Sequence, residues 1–263
     1  MRIITFANQK GGTGKTTTVM NVGMALGELG KKVLMIDLDH QGSLTIYAGI
    51  EDPNEELDVT INDVLLSYAR LEDPPRLLSS IIKHVRNNVW IAQANNQLAT
   101  FDLDIAQAMS RETLLERALE PIRDQFEYIL LDVHPSLSLL NMNALVASTD
   151  LVIPLSADYL SSKGVEQLLE SVSAVRKVHN QNLIIDGILI TRADFRTKHA
   201  NEIIEATRQS FENAIPVFQT VIKEAVSLKD APRHGKDIFL YDPKSESAAA
   251  YKNLAHEILN NGK

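Results

Sequence analysis

Lys10-Gly11-Gly12-Thr13-Gly14-Lys15-Thr16-Thr17 stands two residues after a short apolar run, Ile3-Ile4-Thr5-Phe6-Ala7. It stands directly before a stretch from Thr16 to about Leu29 that places Val19, Val22, Leu26 and Leu29 near one helical face. Strand, glycine loop and helix in that order are the setting a phosphate-binding loop requires. Glycines let successive backbone N–H groups converge on one anion, and the N-terminus of the helix adds its dipole. Lys15 can reach the β- and γ-phosphates as a point charge, and the Thr16 hydroxyl is a candidate magnesium ligand. A nucleoside triphosphate is therefore expected along residues 10–17.

Outward from this loop, strand-length apolar runs alternate with helical patterns. Gly30 is placed to end the first helix. Val33-Leu34-Met35-Ile36 forms a second strand that ends at Asp37, and Thr60 caps a short helix through Ile61, Val64, Leu65 and Tyr68. Val89–Ala92 and Tyr128–Leu131 are further strands, with a helix over Arg111–Ile122 between them; the second of these strands ends at Asp132. Leu151–Leu155 is a strand and Ser162–Val178 a helix. Ile184–Thr191, a helix near Ala200–Asn213, a strand Val217–Ile222 and a last helix near Ser245–Asn260 complete the set. Continuously apolar strands separated by helices predict an α/β fold, a doubly wound and mostly parallel sheet flanked by helices. Residues 1–263 read as one domain, without repeats or linkers.

The composition of the 263 residues, 44% hydrophobic and 23% charged, excludes a disordered chain. There are 0 cysteines, which excludes a thiol nucleophile, a thiolate zinc site and a cysteine-held iron–sulfur cluster. No apolar run reaches the ~20 residues of a membrane span, and the N-terminal run is too short for a signal-peptide core. A cytoplasmic protein is expected. The net charge of −8 argues against a wholly basic nucleic-acid-binding surface. From Ile190 to Lys263, however, 11 Lys/Arg stand against 10 Asp/Glu, so the acidity lies in the first part of the chain and leaves room for a local basic face.

The loop departs from the general P-loop pattern by lacking its first glycine and carrying a second lysine, Lys10. In this it resembles the deviant Walker A loop of the ParA/MinD ATPases. The resemblance to the ParA (Soj) branch continues through Val33–Ser43, through Tyr128–Asp132 with Pro135-Ser136-Leu137, and through Arg233-His234-Gly235-Lys236 with Tyr241-Asp242-Pro243-Lys244-Ser245. It implies an ATPase that uses ATP and Mg2+. Asp39 would orient the attacking water, and Thr16, Asp37 and Asp132 would hold or surround magnesium. Lys15 would bind the nucleotide's phosphates, and Lys10 would cross a homodimer interface to the partner's. An aspartate after a strand can equally cap a helix or sit in a solvated turn, and Lys10 can equally be a solvated loop residue. The sequence departs from the branch at His40 and His134, where prolines are usual, and at Val221–Ala225, where Lys223-Glu224-Ala225 replaces Pro-Arg-Asn.

Resemblance to this branch further implies non-specific DNA binding on the nucleoid and a ParB-like or cargo-adaptor protein that stimulates hydrolysis. Non-specific contacts need cations that meet phosphates. Candidates are Arg192, Arg196 and Lys198 in one group, and Lys223, Lys229, Arg233 and Lys236 in another. The first strand begins at once, so no helix-turn-helix extension is expected. The last helix carries Tyr251, Leu254, Ala255, Ile258 and Leu259 with little basic charge, which suits core packing better than a membrane surface. Two other readings are a MinD-like recruitment switch without DNA and a small-molecule P-loop synthetase.

Overall fold

Apolar residues of both parities along the central strands need cover on both sides of the sheet. The computed structural model describes residues 1–136, 138–157, 162–195, 198–211 and 214–261, excepting the side chains of 162, 163 and 198–200. In it β1 (Arg2–Phe6), β2 (Val33–Leu38), β3 (Ile82–Arg86), β4 (Val89–Ala92), β5 (Tyr128–Val133), β6 (Asp150–Ser156) and β7 (Ile184–Thr191) form one sheet. Their spatial order is β3-β4-β2-β5-β1-β6-β7, and every pairing is parallel except β3–β4. This is the doubly wound, mostly parallel α/β sheet that the apolar runs predict.

Alternation along β2 divides the core in two. Leu34, Ile36 and Leu38 join Ile129 and Leu131 under the helices Ile61–Ala69, Leu114–Leu119, Leu139–Ala147 and Ser162–Val178. Val33, Met35 and Leu130 pack on the other face against the helices Lys15–Glu28 and Glu246–Asn261. Each fully buried aliphatic side chain contributes about 1.5–3 kcal/mol. Tyr251, Leu254, Ala255 and Ile258 of the last helix are all at most 1% exposed, so their stripe packs into the core as expected. No described helix is long and apolar enough to cross a membrane.

Local signals act where the sequence puts them. Gly30 has φ 82° and closes the first helix, with the Lys31 amide donating to the Leu26 carbonyl. Asp63 reaches back to the Thr60 amide at 2.9 Å, in the manner of a capping box. The Ser245 hydroxyl accepts the Ala248 amide and starts the last helix at Glu246.

Three segments differ from expectation. β3 is an additional antiparallel edge strand, paired with β4 across a turn in which Asn87 has φ 52°. Its Ile-Lys-His-Val-Arg sequence is nowhere fully buried, as suits an edge, and offers no apolar run to notice. The helix expected over 111–122 is confined to Leu114–Leu119. Its first turn is displaced by Ser110 at φ 52°, and Pro121, which has no amide to donate, hands the chain to a 3-10 turn over 120–125. The strand expected over 217–222 makes only isolated bridges, Ile188 with Val217 and Ala193 with Lys223. Between them the amides of Gln219 and Thr220 turn away to the Glu257 carboxylate, at 2.7 and 2.8 Å.

The helix Lys15–Glu28 approaches the sheet so closely that a Cβ on Gly27 would lie 2.4 Å from Cγ2 of Val89. Gly27→Ala is expected to destabilise the fold by about 1–3 kcal/mol in urea unfolding, although alanine is the better helix former.

Candidate functional site

Parallel register sets the charged strand ends side by side. Phe6 of β1 pairs with Asp132 of β5, and Asp132 pairs with Asp37 of β2. These ends open to one edge of the sheet, where β1 lies between β5 and β6 and successive connections depart in opposite directions. Such a crevice is where open α/β sheets bind ligands.

The glycine loop rises from β1 at this edge. Gly12 and Gly14 have φ 72° and 80°, a region costly to any residue with a Cβ. Gly14 precedes the helix Lys15–Glu28, whose N-terminus has neither a side-chain cap nor an acidic residue in its first turn. Its first amides are thus directed at the crevice, as an anion site requires. The loop is held from the neighbouring strands. Thr191 at the end of β7 donates to the Thr13 carbonyl at 2.8 Å, and Arg192 donates to the Gly12 carbonyl at 2.9 Å. Asn8 donates to the Pro154 carbonyl at 2.7 Å and accepts the Lys10 amide at 3.0 Å.

Charge is crowded here beyond what the protein itself satisfies. Lys15 is 7% exposed, and its Nζ makes only long contacts, 3.4 Å to the Asn8 carbonyl and 3.5 Å to that of Lys10. Burial pushes its ammonium pKa down, although Asp132 and Asp39 pull the other way. Burial, and then the neighbouring Asp37, push the Asp132 carboxyl well above the usual carboxylate range. The Thr16 hydroxyl hydrogen-bonds this carboxylate, yet its Oδ2 is buried without a partner. Thr13 Oγ1 in the loop is likewise buried without one. Burial also pushes Asp37 up to about 6. Its Oδ2 accepts both the amide and the hydroxyl of Thr45 at 2.8 Å, and its Oδ1 accepts the Asp39 amide at 3.1 Å.

These residues fit magnesium and a polyphosphate. Magnesium is a hard cation that takes oxygen donors and keeps several waters. The Thr16 hydroxyl and the unpartnered Asp132 oxygen supply donors of that kind, whereas both oxygens of Asp37 are already engaged by Thr45 and Asp39. A phosphate chain would supply the negative charge that Lys15 lacks. Asp39 sits at the crevice with Oδ1 accepting the Gln41 amide at 2.9 Å and lying 3.0 Å from His134 Nδ1. A cavity of about 600 Å³ opens over the loop, with Ile222, Leu228, Pro232 and Tyr251 on its far wall.

The candidate phosphate and magnesium residues therefore converge: 11–17, Asp37, Asp39 and Asp132 share one edge, with Lys10 exposed at the loop's tip. The candidate DNA cations are dispersed. Arg192, Lys223 and Lys229 line the cavity itself, and each is paired with a carboxylate. Arg192 and Lys229 share Glu224, at 3.4 and 2.5 Å, and Lys223 meets Glu246 at 2.6 Å. Arg233, which meets Asp230 at 3.4 Å, and Lys236 lie exposed beyond it. Arg196 lies outside the described residues, as does the side chain of Lys198. Thr45, Thr191, Asn8 and the contact of His134 with Asp39 have no counterpart among the sequence candidates. Each is a common residue in an undistinguished local pattern, and only strand adjacency gives it meaning.

Residues 1–185 match the AAA domain family. The chain is 41% identical over 262 residues to the sporulation initiation inhibitor protein Soj of Bacillus subtilis (strain 168), covering 99% of both chains. The chain belongs to the ParA-type partitioning ATPases. A chromosome-partitioning ATPase Soj of Treponema pallidum (strain Nichols) is 34% identical over 258 residues, 98% of this chain and 97% of the relative. Among solved structures, a cobyrinic acid a,c-diamide synthase of Mycobacterium smegmatis with bound ADP and magnesium is 32% identical, with TM-score 0.85, covering 100% of this chain and 95% of that one. This ParA-type protein is an ATPase, and its cofactors are ATP and magnesium.

The raised carboxyls tie stability to pH. The folded chain holds the Asp37 proton more tightly than the unfolded chain does. That contribution is complete below about pH 4 and is lost as the pH rises through about 6. Asp132 has the same sign. Asp132→Asn is expected to raise the melting temperature of the nucleotide-free ATPase at pH 7.5 by about 2–4 °C, and by less at pH 5, while abolishing magnesium-dependent hydrolysis. Scanning calorimetry and phosphate release check both.

Proposed function

We propose that this ATPase is a nucleotide-dependent dimer switch that rides on DNA. What carries the reading is the uncompensated buried charge around an open helix N-terminus, which ATP with magnesium would neutralise. Lys15, the Thr13 hydroxyl and the amides of residues 12–17 would hold the β- and γ-phosphates. Thr16 would ligate magnesium directly and Asp132 through water, while Asp37 would hold the Asp39 segment in place. Magnesium supplies charge neutralisation along the phosphates. Asp39 would accept a proton from water in line with the γ-phosphate, since hydrolysis depends mainly on positioning and electrostatics. The wall of Ile222, Leu228 and Pro232 offers an apolar surface for the adenine ring.

Lys15 already supplies the inward-facing lysine of each subunit. Lys10, exposed at the tip of the loop, would serve the phosphates of a second copy placed face to face. ATP would then be part of the dimer interface, and its hydrolysis would loosen it. Arg192, Lys223 and Lys229 belong to the nucleotide cavity in this reading. The DNA contact falls to the exposed Arg233 and Lys236, with Arg196 and Lys198 as further candidates. A ParB-like or cargo-bound adaptor would stimulate hydrolysis, release the dimer from the nucleoid and so position or segregate its cargo.

Likeness to the Mycobacterium smegmatis synthase favours one second reading, an ATP-dependent synthetase. It requires an acceptor carboxylate, so phosphate release with no acceptor present argues against it.

Size exclusion with light scattering is expected to show a monomer with ADP and a dimer with ATP that Asp39→Ala traps. Lys10→Ala should remain monomeric with ATP. The trapped dimer should bind random duplex DNA with an affinity that falls as salt rises. Replacing both Arg233 and Lys236 by alanine should weaken that binding about tenfold or more and flatten its salt dependence. A dimer that ignores DNA at low salt would leave the recruitment switch as the better reading.

A further inference from the structure

Asp39 is approached by two imidazoles. His134 Nδ1 lies 3.0 Å from Asp39 Oδ1, and His40 Nδ1 lies 3.6 Å from the same oxygen. The rings stand 4.6 Å apart, tilted by 49°, and one donor atom from each of the three residues lies within 4.8 Å of the others. Among the described residues no other three His, Asp or Glu side chains converge in this way. A hydrogen bond to Asp39 accounts for His134, but it does not account for a second imidazole at the same oxygen.

The two contacts at Asp39 are spaced as in a metal site. Zinc bonds of about 2.0–2.1 Å in a tetrahedron put neighbouring donors about 3.3–3.4 Å apart. The two contacts at Asp39 fall on either side of that distance. The donors also come from braced loops. Asn141 donates to the His134 carbonyl at 2.7 Å and the Ser136 carbonyl at 2.6 Å, and Asp39 is braced by its amide's bond to Asp37. His40 and His134 are about one-third exposed, which leaves a fourth position open to water. Two imidazoles and one carboxylate suit zinc and its neighbours, whereas magnesium prefers oxygen alone and fits Thr16 and Asp132.

We propose that Asp39, His40 and His134 form a second cation site, selective for a zinc-class divalent ion, whose occupation holds ATP hydrolysis off. The ion would draw on the Asp39 carboxylate that otherwise orients water, so nucleotide would still bind but would turn over slowly. Metal binding stands independently of the proposed dimer switch; the inhibition rests on the role that reading gives Asp39.

The test uses the full chain, stripped of metals and held in millimolar magnesium, titrated with cobalt(II) as a spectroscopic substitute for zinc. One equivalent of cobalt is expected to give visible bands of a low-coordinate site, and zinc should displace it. His40→Ala and His134→Ala should each weaken cobalt binding more than about tenfold while retaining magnesium-ATP binding, which also shows that they fold. Thr16→Ala should keep the bands. Zinc should slow phosphate release by the wild-type chain and not by His40→Ala. Bands that never form, that survive both histidine substitutions or that vanish with Thr16→Ala would overturn the site. Bands that behave as expected while zinc leaves hydrolysis untouched would overturn the regulatory half alone, since Asp39→Ala tests the water-orienting role separately.

Discussion

Buried charge of both signs at one end of the sheet is the constraint on which the rest of the structure depends. Asp37 and Asp132 sit opposite one another on adjacent parallel strands, each almost fully buried, with Lys15 beside them. Such groups are costly unless each finds partners. Thr45 and the Asp39 amide supply them for Asp37. For Lys15 and Asp132 the supply is incomplete, and in the proposed reading a nucleotide and its metal would supply the missing counter-charges. The two-sided apolar core carries the stability that lets this edge remain unsatisfied, which is the usual relation between a scaffold and a working site.

Much of this was legible in sequence because it rests on short-range order. The loop Lys10–Thr17 declares itself by glycines that precede a helix and follow a strand. Asp37 and Asp132 declare themselves as charges ending apolar runs, and Gly30 and Thr60 mark their helix boundaries by their own backbone chemistry. What escaped depends on contacts between distant residues. The segment 217–222 reads as a strand from composition, but Glu257, nearly forty residues on, takes the amides of Gln219 and Thr220 and so interrupts the pairing that Phe218 and Ile222 make with β7. β3 escaped for a different reason: an edge strand covered on one face has no continuous apolar run.

The basic residues show the same limit in charge. From sequence, Arg192, Lys223 and Lys229 are members of two cationic groups. In space they surround the nucleotide cavity and are tied to Glu224 and Glu246. A cation already held by a carboxylate in the same chain has less to offer a phosphate backbone, since counter-charge is exchanged and not gained. Counting lysines and arginines by position therefore overstates the cations free to meet DNA in the proposed reading; Lys236 and Arg233, itself 3.4 Å from Asp230, are the candidates outside the cavity.

The place of β1 in the sheet also has a consequence for timing during synthesis. β1 ends up between β5 and β6, both made after it, and it is never a neighbour of β2. The glycine loop therefore leaves the ribosome early and waits for its frame. From Phe6 to its partner Asp132 the ribosome needs roughly 6–25 s at 5–20 residues per second. Thr191, which braces the loop from β7, comes later still. Until those strands dock, the loop has the glycines of an anion site without its shape. Nucleotide capture by a growing chain would thus report that the centre of the sheet has closed.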